Sequence, residues 1–496
     1  EYSILSLKPD HLKDIFTLLD TLPSNLNLDV LGDKSDKAGK LYKAYRMKLV
    51  RSDQEALTYL FGDANHRNRY YRRVKSVLRT RVINTILGRN PDSNASQLQA
   101  TFIETHKKAT AAKILIVKGK RSAGTDLAEE ALQVAVKFHL TDLIIELTKL
   151  LRDHYAISDN KKYSDYDSKL KNKWKDLESE TLIDNYHQKL RMYLSQSKMP
   201  EIEAHEIAKD CFDKAKAIQE YHSSYQINYS AYRIYALYYQ LIKDYAGLIR
   251  NCKDAISYFD QFDFDTGPTK RIFLLYLVPA LISKRQFQEA ANTIHKGLTI
   301  SARGGHNWMA FQQYQIINSF YSGDFRAGYD VMEEIKQFKT YKRLAEEFRI
   351  YGAYLHFFAL TGKLEAKSGR FKLAKFMNEV SLQEKDKKGM NVNLWILRIL
   401  FLLQAKKWGA IIDQMENIQS YRYRHLRKDE ATLRSDLFLK LLWLLPKHSF
   451  IQENVEREAA PLLAHLDAMP SNLMNHLDME IVPYGKLWES VVELLL

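Results

Sequence analysis

Apolar side chains recur along most of the chain at intervals of three and four, the spacing that gathers them on one face of an α-helix. The strict alternation that marks a half-buried strand is missing. The pattern predicts an all-α protein. It opens with two short amphipathic helices over Ser35–Lys48 and Asp53–Phe61, the second started by Ser52 with Glu55 three residues on and stopped at Gly62. A longer helix follows over Arg67–Leu87. At 100° per residue, Tyr70, Tyr71, Val74, Val77, Leu78 and Val82 fall on one face of it, and Arg69, Arg72, Arg73, Lys75 and Arg79 on the other. The turn-forming run Gly88-Arg89-Asn90-Pro91-Asp92 ends this helix and marks a first boundary.

Residues 97–156 read as three helices, broken at Gly119–Gly124 and near His139–Thr141; residues 160–199 read as a long, Lys-rich helical hairpin interrupted by Pro200. Tyr221, Tyr225, Tyr229, Tyr232, Tyr235 and Tyr239 then follow at spacings of 4, 4, 3, 3 and 4, which predicts one tyrosine face on one helix. The stronger reading of that face is packing, and the alternative is the lining of a groove.

After about Ser223 an aromatic recurs at a helix corner, at Tyr245, Phe287, Phe325, Phe371, Trp408 and Phe450, with gaps of 42, 38, 46, 37 and 42 residues. One helical hairpin per period is the expectation. Gly323-Asp324-Phe325-x-Ala327 and Gly369-Arg370-Phe371-x-x-Ala374 resemble the turn between helix A and helix B of the tetratricopeptide-repeat superfamily, and Phe287-x-x-Ala290 and Tyr245-x-x-Leu248 follow the same plan without the Gly. In physical terms, Gly admits the left-handed corner, the aromatic fills the space beneath it, and a small residue lets helix B approach helix A. The resemblance covers about 224–466. It implies a right-handed α-solenoid of TPR-like hairpins whose concave A-helix surface binds a peptide, with Tyr229, Arg233, Asn318 and Arg349 as candidate groove residues.

The resulting organisation is a basic helical headpiece (1–90), helical hairpins with a long linker region (91–222), the TPR-like solenoid (223–466) and C-terminal capping helices (467–496). The capping role is expected because a solenoid's last apolar face needs cover, which Leu487, Trp488, Val491 and Val492 can supply; a dimerisation or partner-docking helix is the alternative.

The 496-residue chain is 46% hydrophobic and 27% charged, a composition that folds. With 2 cysteines, Cys211 and Cys252, it lacks the means for a disulfide framework or a Cys-based zinc site, and both read as buried thiols. No stretch reaches the length of a membrane span, and no basic-then-apolar signal pattern opens the N-terminus. The expected setting is cytoplasmic.

The net charge of +14 is unevenly placed: residues 64–121 carry 14 Lys/Arg against 2 acids, whereas residues 1–63 carry 9 against 10. Arg69, Arg72, Arg73, Lys75 and Arg79, extended by Lys107 and Lys108, therefore form a candidate docking surface for a polyanion or an acidic partner. A solvated helix face is the competing reading. The chain has no phosphate loop, no His-Glu-x-x-His, no nucleophile elbow and no Cys/His cluster of ligand spacing; Gly304-Gly305-His306 reads as an inter-repeat turn. A non-enzymatic interaction scaffold without cofactor or metal is the expected class, with a protein or peptide partner. The alternative is a nucleic-acid-binding regulator that contacts phosphates through the 67–87 helix.

Overall fold

The computed structural model describes residues 36–62, 68–90, 96–194, 201–338, 341, 345–365, 376, 390–426, 432–471, 473 and 480–496. Among these residues there are 20 α-helices and no strand, so the chain is all-α. It divides into two compact units, Glu1–Ala135 and Val136–Leu496.

The first unit opens with α1 (Lys37–Arg46), α2 (Asp53–Phe61) and α3 (Asn68–Gly88). Ser52 Oγ caps α2 by accepting the Glu55 amide at 3.2 Å, and Gly62, at φ +72°, ends it. The three helices close around one core of Leu41, Tyr42, Val50, Leu57, Tyr71, Leu78 and Val82. The expected division of faces on α3 needs correction. Tyr70 is 65% exposed and Val77 38% exposed, whereas Lys75 is only 7% exposed. The buried stripe runs Tyr71, Lys75, Leu78, Val82, Thr85, and Lys75 sits inside it because Asp53 of α2 faces that position. Lys75 Nζ and the Tyr71 hydroxyl both donate to Asp53 Oδ1, each at 2.8 Å. A buried ammonium persists only with such a partner.

Farther on, α4 (Gln97–Val117) and α5 (Arg121–Lys137) meet at a corner where Gly119 has φ +76°. Gly124 lies within α5, past the break expected there. A Cβ on it would stand 2.9 Å from the Ala112 carbonyl oxygen of α4, so only Gly permits this approach.

The second unit begins with α6 (Thr141–Tyr155), the 35-residue α7 (Asn160–Leu194), α8 (Glu201–Tyr221) and α9 (Tyr225–Leu241). Ile183 and Leu190 of α7, Cys211 of α8, and Ile227 and Ile234 of α9 share one core. The described residues 96–135 fall in the first compact unit, and α7, α8 and α9 in the second. The six tyrosines do not share one helix. His222–Ser224 break the chain, Ser224 Oγ caps α9 through the Ile227 amide at 3.2 Å, and Tyr221 is left at the end of α8, 85% exposed. A serine one residue before the next apolar run outweighs the periodicity. Both cysteines are free and buried, as expected.

From α9 onward the described helices are α10 (Tyr245–Phe259), α11 (Gly267–Ser283), α12 (Phe287–Thr299), α13 (His306–Ser322), α14 (Phe325–Ile335), α15 (Ala345–Leu360), α16 (Met390–Gln404), α17 (Trp408–His425), α18 (Leu433–Lys447) and α19 (Gln452–Ala468). Tyr245, Phe287, Phe325 and Trp408 are the first residues of α10, α12, α14 and α17, and Phe450 stands two residues before the start of α19. Phe371 lies outside the described residues.

Two residues before each of those four stands a left-handed residue: Lys243, Arg285, Gly323 and Lys406, with φ of 58°, 58°, 92° and 52°. Amide-to-carbonyl bonds Asp244→Tyr239, Gln286→Leu281, Lys407→Leu402 and Phe450→Leu445, of 2.8–3.0 Å, close the same C-terminal cap at the corners before Tyr245, Phe287 and Trp408 and at Phe450, while at the Gly323 corner the Gly323 amide bonds the Ser319 carbonyl at 2.9 Å. The corner geometry recurs even where Gly does not, because these six-residue bonds fix it. On the far side, a Cβ on Gly247 would meet the Tyr239 ring at 2.7 Å, which is how closely α10 approaches α9.

The last helix, α20 (Tyr484–Val492), does more than cover the final hairpin. Lys486 Nζ donates to the Tyr321 carbonyl at 2.9 Å and the Tyr321 hydroxyl to the Glu480 carbonyl at 2.8 Å, while Lys363 Nζ reaches Ser490 Oγ at 3.0 Å and Glu493 at 2.8 Å. This segment therefore ties back to the corners that follow α13 and α15.

Candidate binding face

The packed helices α7, α9, α11, α13 and α15 carry aromatic and basic side chains. His187 and Arg191 are one turn apart on α7, Tyr229 and Arg233 one turn apart on α9, and Tyr276, Tyr314 and Tyr351 follow on α11, α13 and α15. Helix α9 packs against both α7 and α11, and α11 against α13. Each phenol is within electrostatic reach of the next, Tyr229 with Tyr276, Tyr276 with Tyr314, and Tyr314 with Tyr351.

Tyr229, Tyr276 and Tyr314 remain partly solvent-accessible. Burial nevertheless pushes all three phenols up, Tyr314 to about 12. Gln313 Nε2 of α13 donates to the Tyr351 hydroxyl at 2.5 Å and closes the strip on that side.

At the other end the Arg233 guanidinium lies 4.8 Å from the Tyr229 ring centre, a cation–π arrangement. Burial, then Arg233 and Arg191, push the His187 imidazole down to about 3, so it is neutral at pH 7.

Of the groove residues expected from the sequence, Tyr229 and Arg233 thus come together. Asn318 does not join them. It is 9% exposed and its Nδ2 donates to the Phe287 carbonyl at 3.2 Å, pinning the start of α12. Arg349 is half-buried on α15. His187, Arg191, Tyr276 and Tyr314 escaped the sequence reading, because each is an ordinary residue until the helices are laid side by side. A tyrosine on alternate helices was the available signal.

The basic residues of the first unit separate into two sets. Arg69, Arg72, Arg73 and Arg79 are exposed on α3. Lys75 is the buried partner of Asp53, and so leaves the docking surface. Lys107 and Lys108 are half-buried on α4, where Lys107 Nζ donates to the Arg89 carbonyl and Lys108 pairs with Glu130 of α5. The nearby acids are already used: Asp36 caps α1 and pairs with Arg81, whose hydrogen bond holds its carboxyl below the usual range.

A hollow of about 410 Å³ lies elsewhere, lined by Gly323–Arg326 and Lys363–Glu365. Its charged groups have structural tasks: Asp324 caps α14, Arg326 pairs with Asp330, and Lys363 holds α20. No group of three or more His, Cys, Asp or Glu suited to a metal occurs among the described residues, and no helix among them is long and apolar enough to cross a membrane. Compared with family models, curated proteins and solved structures, the chain matches none.

Proposed function

We propose that this protein is a non-enzymatic, cytoplasmic interaction scaffold, a right-handed solenoid of TPR-like hairpins that receives an extended segment of a partner protein along its A helices. The observation that carries the reading is the strip Tyr229, Tyr276, Tyr314, three partly accessible tyrosines on the successively packed helices α9, α11 and α13. Tyrosine presents a large area at low entropic cost and a polar tip that can bond a peptide backbone. Panning the full chain against random dodecapeptides displayed on phage tests this. Peptides should be enriched, and Tyr276→Ala with Tyr314→Ala should weaken a selected peptide by tenfold or more, as anchor residues do. Failure to enrich, or binding indifferent to both changes, removes the reading.

One observation favours a second activity in the first unit. Arg69, Arg72 and Arg73 are exposed on α3, and Asp36 before α1 and Asp53 of α2 are occupied by Arg81 and Lys75. A nucleic acid would supply the missing counter-charges. If about four phosphates are neutralised, affinity for duplex DNA or RNA should fall roughly a hundredfold between 50 and 200 mM salt. Replacing Arg69, Arg72, Arg73 and Arg79 together by Glu should abolish retention with circular dichroism unchanged. No retention at 50 mM salt excludes this activity.

A further inference from the structure

The end of the strip formed by α7, α9 and α11 differs from the rest in carrying an excess of positive charge. Arg191 of α7 and Arg233 of α9 stand on helices that pack together, the Arg233 guanidinium lies 4.8 Å from the Tyr229 ring centre, and both arginines are within electrostatic range of His187, Tyr229 and Tyr276. Neither forms an ion pair with an acid among the described residues. Arg191 is exposed and Arg233 half-exposed, so an incoming group can reach both. Beneath them His187 is 1% exposed, and its Nδ1 has no hydrogen-bond partner among the described residues. A buried polar nitrogen left unpaired normally costs about 1–3 kcal/mol and calls for an explanation. Two like charges set together over it call for the same one.

We infer that Arg191, Arg233 and His187 form a carboxylate-binding subsite at the α7–α9–α11 end of the tyrosine strip, which receives an Asp or Glu side chain of the bound partner segment. The inference rests on the proposed peptide-binding reading and names the chemistry that its partner must carry.

Charge decides between a carboxylate and a phosphate. Asp184, one turn before His187 on α7, also acts on Tyr229. Two arginines against one aspartate leave a single positive excess, which a monoanionic carboxylate matches and a dianionic phosphate overshoots. Guanidinium groups bind carboxylates through paired N–H donors. Because Arg233 is already held against the Tyr229 ring, little side-chain freedom is lost on binding.

The phage-selected peptides provide the test. They should share one acidic position. By fluorescence anisotropy, changing that residue to Gln or Asn should weaken binding to the wild-type chain tenfold or more, and affinity for the acidic peptide should fall more steeply with salt than that of its amide counterpart. Arg233→Gln and Arg191→Gln should lose the distinction between the two peptides, so that protein and peptide changes are not additive. Should either variant misfold by circular dichroism, the acid-to-amide comparison and its salt dependence in the wild type decide alone. Selected peptides that bind through the tyrosines but share no acidic position, or a full preference for acid retained by folded Arg233→Gln, overturn the subsite and leave the groove standing. Selected peptides whose affinity needs a phosphorylated residue would likewise overturn it. An empty selection overturns both.

Discussion

Arg434→Met is expected to destabilise the second unit by about 3–5 kcal/mol, the range for breaking a buried ion pair from one side. Arg434 of α18 meets Glu480 in a two-pronged pair, Nε to Oε2 at 2.7 Å and Nη2 to Oε1 at 3.0 Å. Its Nη1 also donates to the carbonyl oxygens of Leu466 and Met469 at the end of α19, the latter at 2.8 Å. Glu480 in turn accepts the Tyr484 amide at 2.8 Å, where α20 starts. Removing the guanidinium leaves a carboxylate that is 1% exposed with a single backbone donor facing it, and strands two carbonyls. The cost is that of the orphaned charge, so the double variant Arg434→Met, Glu480→Met should regain most of the loss. Urea midpoints of the single and double variants, with amide exchange across Tyr484–Val492, measure this. A loss below about 1 kcal/mol in the single variant would mean that the C-terminal segment is not held by this pair.

That junction also shows what the sequence withheld. The all-α class, the stop at Gly62, the corner at Gly119 and the aromatic first residues of α10, α12, α14 and α17 follow from local rules: period, capping and turn chemistry act within a few residues. Arg434 and Glu480 stand 46 residues apart, and Tyr321 and Lys486 stand 165 apart; no local spacing announces such a pair. Lys75 illustrates the same limit on a smaller scale. Its place on a helical wheel beside arginines gave it a solvent face, and only Asp53, 22 residues earlier, reveals that it points inward. The binding face was legible to the extent that it lies on one helix, as Tyr229 and Arg233 do. It was hidden wherever it needs neighbouring helices, as His187, Tyr276 and Tyr314 do. Asn318 failed as a groove residue for a related reason: a polar side chain among apolar neighbours on a helix can serve the backbone of another helix as readily as a ligand.

Phe325→Ala is expected to cost about 3–5 kcal/mol, the usual range for emptying a buried aromatic site. The ring stands at the first position of α14, 9% exposed, and stacks on Phe358 of α15 with centres 3.9 Å apart and planes 12° from parallel. It therefore links a corner of one hairpin to the first helix of the next, and its loss removes both local fill and the contact between hairpins. Such a pair adds roughly 0.5–1.5 kcal/mol beyond area, so Phe325→Ala and Phe358→Ala should be non-additive, the double variant costing less than the sum. Phe325→Leu keeps most of the volume and should lose about half as much. The corner itself should survive, because Gly323 at φ +92° and the Asp324 cap on the Ala327 amide do not depend on the ring. Urea midpoints decide. A loss under about 1 kcal/mol, or strict additivity with Phe358→Ala, would mean that the recurring corner aromatics do not join one hairpin to the next, and with that the mechanical basis of a continuous A-helix face would be gone.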